Sequence, residues 1–422
     1  MVENKKIVST KKLNILNFSA ILFAILFYTG IIKTKEALYL KSLLKTEEIV
    51  FLKGKINSNP IKNEQKKIYR ANFSPEFAQD SLGKTSECKG NIVLEIPENF
   101  VEAYFPGKLY TQAKTNALIC EQNFKIEIFG NFKGTSKTFK VTHAFQGEKG
   151  TSLIDKIQYI RGICRIYFRR LMYAWGDSGG FFMALISGIK EYAKSELCTN
   201  FKNAGLSHVL ALSGMHLSMF SSIFKKFGKK TKNKFLSSFL QIFAICTFVW
   251  FAGISPSLLR AMLCSLMLIF CSICNFKDVK MLNILSVSFL IHVIIKPCDL
   301  NEISFQLSYG ALAGILIFSE LFNFITVAKI PAKLSSDLGA SCGAQVVTAP
   351  ISIAKLNSFA PIGIISSVVI SPFITFFIYA GLLLFVLCLI FPFLLPFATF
   401  IMQKIYIAIE KIVSFFANFP SF

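Results

Sequence analysis

The sequence predicts an α-helical polytopic membrane protein with a small N-terminal extracytoplasmic β-rich domain, and three observations predict it. The 422 residues are 53% hydrophobic and only 17% charged, against about 25% charged in an ordinary soluble domain. The apolar residues gather into uninterrupted runs, and a run of about 18 or more is long enough to cross a bilayer. Most of the remaining polar sequence lies between 33 and 150, where short alternating stretches are separated by Gly, Pro and Asn.

The chain opens with Lys5, Lys6, Lys11 and Lys12, followed by the charge-free run Ile15 to Ile32. This run is longer than the roughly 7 to 15 residues of a signal-peptide core and ends without a small-residue cleavage site. Residues 1–32 therefore read as a cytoplasmic tail and a retained membrane anchor, which sends Lys33 to the outside. From 33 to 150, stretches such as Ile92 to Ile96 and Phe124 to Phe129 read as strands of one extracytoplasmic β-rich domain, with a turn at Asn131 to Gly134. Cys88 and Cys120 both fall in this domain and are a candidate disulfide if it faces an oxidising compartment. Most of the other cysteines sit in apolar runs and behave as small hydrophobes. Cys271 and Cys274 form a CxxC without a second pair, so no metal site is expected there.

Between Thr151 and Arg170, Leu153, Ile157, Ile160, Ile163 and Phe168 alternate with Lys156, Arg161, Arg165, Arg169 and Arg170 at helical spacing. Residues 151–180 read as an amphipathic membrane-surface helix and linker whose basic residues are available to anionic lipid. A linker helix packed on the soluble domain would show the same periodicity.

Residues 181–422 form the multi-span block. The expected spans are Leu206 to Phe224, Phe235 to Ala252, Pro256 to Cys274, Met281 to Ile295, Phe305 to Val327, Leu338 to Ile353 and Phe373 to Phe397. Phe182 to Gly188 and Pro361 to Ile370 are apolar but too short to cross, and read as re-entrant or interfacial. Ile401 to Phe416 is weakened as a span by Lys404, Glu410 and Lys411. Six lysines between Lys225 and Lys234 crowd one loop, and the loops at Phe276 to Lys280 and Ala328 to Lys333 each carry two more. Every second loop is basic, which places those loops in the cytoplasm and the β-rich domain outside. The net charge of +22 has two explanations: cytoplasmic loops meeting anionic lipid, or a polyanionic partner such as nucleic acid.

One segment is unusual for an apolar block. Gly205-Leu-Ser-His-Val-Leu-Ala-Leu-Ser-Gly-Met-His-Leu-Ser-Met219 places two His, three Ser and two Gly in one span. Polar groups in hydrocarbon face a bundle interior or a wet cavity, and Gly with Ser also permits close packing or a local break. His208 and His216 lie about 80° apart on an ideal helix, and no Asp, Glu or Cys in the run completes a metal set. Arg260 sits one turn into its span, where it faces protein, water or phosphate, or snorkels to the interface. Gln306 and Gln345 are polar residues in apolar runs, for which an interhelical hydrogen bond is the plain explanation.

The run Ala204-Gly-Leu-Ser-His-Val-Leu-Ala-Leu-Ser-Gly-Met-His-Leu217 resembles the signature of the ComEC competence family. Ser255-Pro-Ser-Leu-Leu-Arg-Ala-Met262, Ser304-Phe-Gln-Leu-Ser-Tyr309 and Ala344-Gln-Val-Val-Thr-Ala-Pro350 follow in the family's order. The resemblance covers roughly Phe181 to Pro372 and implies an OB-like fold for the preceding β-rich domain. It implies a channel for single-stranded DNA across the inner membrane during natural transformation. His208, Ser213, Gly214, His216, Arg260, Gln306, Gln345 and Pro350 become candidates for the translocation path or its supporting packing. The family's metallo-β-lactamase-like domain needs an HxHxDH motif, which a chain with four His ending at Phe422 does not supply, so no catalysis is expected. Where the family pattern tends to have Asn before an apolar run and Pro, the chain reads Ile365-Ser-Ser-Val-Val-Ile-Ser-Pro372. No cofactor is called for, and no Walker-type loop is present. A cytoplasmic motor ATPase and a DNA-receptor protein are implied as partners, with strand degradation left to a separate nuclease. A multi-pass transporter or flippase for a small or lipid substrate is the alternative, and a membrane enzyme using His208 or His216 as a base lacks a nucleophile or metal.

Overall fold

The computed structural model describes residues 17, 20, 22–23, 38–63, 66–100, 120–134, 137–147, 152–190, 192–212, 214–230, 233–276, 279–326 and 331–420. Most of the expected N-terminal anchor, and Ser213, lie outside the described residues. The chain forms two compact units, one of 36–220, 246–255 and 358–422, the other of 1–35, 221–245 and 256–357.

The first unit begins with eight strands: β1 (Tyr39–Lys41), β2 (Ile49–Ile56), β3 (Ile61–Asn63), β4 (Ile68–Asp80), β5 (Thr85–Glu87), β6 (Lys89–Pro97), β7 (Lys125–Phe132) and β8 (Thr138–Gln146). Alternation along them sends Leu52, Phe73, Leu94, Ile126, Ile128 and Phe139 into one fully buried core. Five strands close on themselves in the order β2–β4–β6–β8–β7–β2, every pair antiparallel except the parallel β6–β8. This is an OB-like barrel. Cys88 and Cys120 both lie in its core. No S–S bond joins them, and the Cys88 thiol instead points at the Ser86 carbonyl at 3.8 Å.

Helices complete the same unit. Ser152 caps α1 (Leu153–Ala174) by accepting from the Ile154 amide. Helix α2 (Asp177–Ser187) is buried from Ser178 to Ser187. The segment expected to be re-entrant or interfacial is a helix packed within the protein: Phe181 packs on Phe201, Phe377 and Tyr406, and Phe182 on Phe168 and Trp175. Then come α3 (Ser195–Asn203), α4 (Ser207–Leu210), the start of α5 (Gly214–Lys230) and the end of α6 (Lys234–Ala252). Helices α11 (Gly363–Ile390) and α12 (Leu395–Ala417) close the unit, joined by a turn at Pro392–Leu394. Helix α11 absorbs the short segment expected at Pro361 to Ile370 and runs on through Pro372. Proline removes one amide from the ladder, and hydroxyls there bond backbone carbonyls: Ser367 to Ile364 and Thr375 to Ser371.

The second unit contains α7 (Pro256–Ile273), α8 (Met281–Ile295), α9 (Ile303–Thr326) and α10 (Ala332–Leu356). Helices α9 and α10 approach closely through small residues. A Cβ on Gly314 would stand 2.3 Å from the Gly343 carbonyl oxygen, so a side chain is excluded at this crossing. Among the described residues, five helical segments are long and apolar enough to cross a membrane: α6, α7, α9 through Phe322, α11 and Pro392–Ala417. The chain is a polytopic membrane protein with an N-terminal β-rich domain.

Candidate functional site

The polar segment after α3 does not form the continuous span expected from Leu206 to Phe224. Gly205 turns the chain with φ +72°, and a Cβ there would meet the Gly363 Cα at 2.7 Å and the Ala360 oxygen at 3.0 Å. Ser366 on α11 fixes the approach by donating to the Ala204 carbonyl at 2.7 Å. One turn of α4 follows, Ala211 is extended with ψ 139°, and helix resumes only at Gly214. Backbone groups at Ala211 and Leu212 are thereby released from helical pairing. His208 lies exposed on α4, whereas His216 is buried on α5.

Arg260, Gln306, Gln345 and Pro350 belong to the other unit. Arg260 Nη1 donates to the Ser308 carbonyl at 3.0 Å, and Ser308 Oγ to Ser257 Oγ at 3.0 Å, tying α7 to α9. Gln306 Nε2 donates to the Leu300 carbonyl at 2.9 Å. These two side chains therefore serve helix and turn packing, the plain reading of a polar residue in an apolar run. Gln345 is partly buried on α10, and Pro350 lies exposed five positions along the same helix.

Beside them lies a polar cluster that the sequence did not single out. His292, fully buried, places Nε2 3.1 Å from Asp299 Oδ2 and Nδ1 3.3 Å from the Tyr309 hydroxyl. It pins the short turn Pro297–Asn301 onto α8 and α9. The available signal was a His inside an apolar run with an Asp just past its end.

A second missed group is larger. Arg161, Arg165 and Arg169 share one face of α1, and all three are buried. Glu121 accepts from Arg165 Nε at 2.9 Å and lies 2.8 Å from Arg169 Nη2. Arg165 Nη1 also donates to the Phe251 and Ala252 carbonyls at 2.7 and 3.1 Å, and Arg161 Nε to that of Trp250. Burial alone would raise the Glu121 carboxyl, but Arg169, Arg165 and Arg161 together hold it below the usual range. Burial foremost, with the neighbouring Arg165, pushes Arg161 down to about 10, which leaves it charged at neutral pH. The expectation that these arginines meet anionic lipid is corrected: they are engaged inside the protein.

The barrel presents a different surface. Phe51, Phe129 and Phe145 form a row across β2, β7 and β8, with ring centroids 4.7 and 6.2 Å apart. Phe129 is 38% and Phe145 54% exposed. On the same outer face, Lys53 pairs with Glu127 at 2.9 Å, and Lys140 is exposed.

The family model described as "Competence protein" matches residues 185–422. The chain belongs to the competence protein family. ComE operon protein 3 of Bacillus subtilis (strain 168) is similar, at 27% identity over 209 residues, which is 49% of this chain and 26% of that protein. The chain thus aligns with about a quarter of that relative's length. No solved structure matches. The competence-family segment contains His208, Gly214, His216, Arg260, Gln306, Gln345 and Pro350 together with the His292 cluster. The barrel, Glu121 and the arginines of α1 precede it.

Proposed function

We propose that this chain is an inner-membrane channel that passes single-stranded DNA into the cytoplasm during natural transformation. The observation that carries the reading is one compact unit joining an OB-like barrel, with its exposed row of phenylalanines, to helices of the competence-family segment. Every base has a π face, so a row of exposed rings binds a single strand without regard to sequence, while lysines neutralise phosphates. The helix break at Ala211 and Leu212 supports a wet passage nearby, because non-helical backbone at membrane depth is tolerated where it is buried in protein or lines a water-filled cavity. In this reading His208, Ser213, Gly214, His216, Arg260, Gln306, Gln345 and Pro350 are the candidates for the translocation path or its supporting packing. Loop charges support a cytoplasmic N-terminus and an outward-facing barrel. A cytoplasmic motor ATPase supplies the energy and a DNA-receptor protein delivers the strand.

The test is entry of labelled DNA into the cytoplasm of cells lacking this chain, with and without the restored gene. Entry is expected to cease on deletion and to return with the gene. Normal entry in its absence overturns the proposal, and a change in lipid distribution instead would favour a lipid transporter.

A further inference from the structure

Helix α1 is turned inside out. Its guanidiniums Arg161, Arg165 and Arg169 are at most 2% exposed, while Leu153, Ile154, Ile157, Ile160 and Tyr167 are each between 49% and 76% exposed. A helix at a water-facing surface would hide the apolar stripe and solvate the charges. The contacts of α1 are with the ends of helices long and apolar enough to cross a membrane. Arg161 and Arg165 hold the carbonyls of Trp250, Phe251 and Ala252, the end of a helix long enough to cross. Phe168 packs edge-on against Phe251 and Phe385, the latter near the end of α11, another such helix. At the far end of α1, Thr399 in the first turns of α12 donates to the Ala174 carbonyl at 3.5 Å. The ends of spanning helices lie at a bilayer boundary.

The geometry points to α1 as a brace lying in the boundary between headgroups and acyl chains, with the bilayer itself as the occupant of its exposed stripe. Lipid contact is made by aliphatic side chains, and anionic headgroups are not what holds the helix there. Of the helix's own cations, only Lys156 and the half-buried Arg170, stacked over Tyr167 at 5.9 Å, remain on the outer side. Through Glu121 the same helix holds the barrel at a set height above the membrane. None of this depends on the cargo, so it can fail while the channel reading stands.

The test uses the full chain in nanodiscs with a benzophenone amino acid at Ile157 or Ile160, both exposed, and at buried Leu171 as control. After illumination, lipid adducts are counted by mass spectrometry in neutral phosphatidylcholine discs and in discs containing phosphatidylglycerol, at low and high salt. Adducts are expected at 157 and 160 and not at 171, with yields differing by less than about thirtyfold between compositions, since two residual cations at about 1 kcal/mol each give no larger preference. Absent lipid adducts, a cross-link to a second copy, or a yield that falls further than this in neutral lipid overturns the proposal.

Discussion

Replacing Glu121 with Gln removes the one carboxylate, among the described residues, from a buried group of three guanidiniums while keeping its shape. The carboxylate is fully buried, 2.9 Å from Arg165 and 2.8 Å from Arg169. Two unit charges about 4 Å apart attract by about 4 kcal/mol at an effective dielectric of about 20, so the two close pairs supply roughly 8 kcal/mol. Burying the ions opposes this by several kcal/mol each. In Glu121→Gln the attraction is lost and the cations remain beside the end of α6, worth about half a negative charge. A destabilisation of about 3–5 kcal/mol is expected, the usual result of removing one partner from a buried pair. Arg169→Met removes a surplus cation instead, and Glu121 keeps Arg165, so a loss of less than about 2 kcal/mol is expected. The assay is the apparent melting temperature of the purified chain in nanodiscs, followed by tryptophan fluorescence. A Gln variant that melts at or above the Arg169→Met variant would refute the reasoning.

Other outcomes follow from the same geometry. A carboxyl held low on folding contributes stability that is present above its unfolded value and lost as pH falls through the folded one; melting temperature should therefore hold from neutrality to about pH 5 and drop in more acid solution, and Glu121→Gln should remove that component of the drop. His292→Phe leaves the Asp299 carboxylate and the Tyr309 hydroxyl short of a partner and should cost about 2–3 kcal/mol; a variant as heat-stable as the parent would show that the cluster holds nothing. Gly314→Leu, whose Cβ would stand 2.3 Å from a carbonyl oxygen, should abolish a monodisperse peak in size-exclusion chromatography. Phe129→Ala should weaken single-stranded DNA binding by the full chain by about 1–3 kcal/mol, measured by fluorescence anisotropy, and unchanged affinity would remove the phenylalanine row from the binding surface.

Hydropathy is a sum over neighbours, so α6, α7 and α9 were legible from runs alone, and strand alternation marked the barrel through Ile92 to Ile96 and Phe124 to Phe129. What escaped depends on partners far along the chain. Periodicity placed Arg161, Arg165 and Arg169 on one face of α1 but says nothing of what that face meets; Glu121 is 44 positions from Arg165, and the carbonyls of Trp250 to Ala252 have no signature in side-chain identity. An Arg face is therefore read as solvated or lipid-facing by default, and only a fold that delivers a carboxylate and a helix end to it reverses the reading. His292 was hidden by its surroundings, because averaging over Met281–Ile295 dilutes one imidazole, and its partner Asp299 lies beyond the helix end. The polar segment shows the opposite failure. Its Gly and Ser residues signalled a break, yet the leucines between them kept it apolar enough to count as a span. Gly205 turns there because α11 passes within contact of its Cα, a constraint set by the packing of two distant helices and not by the local run.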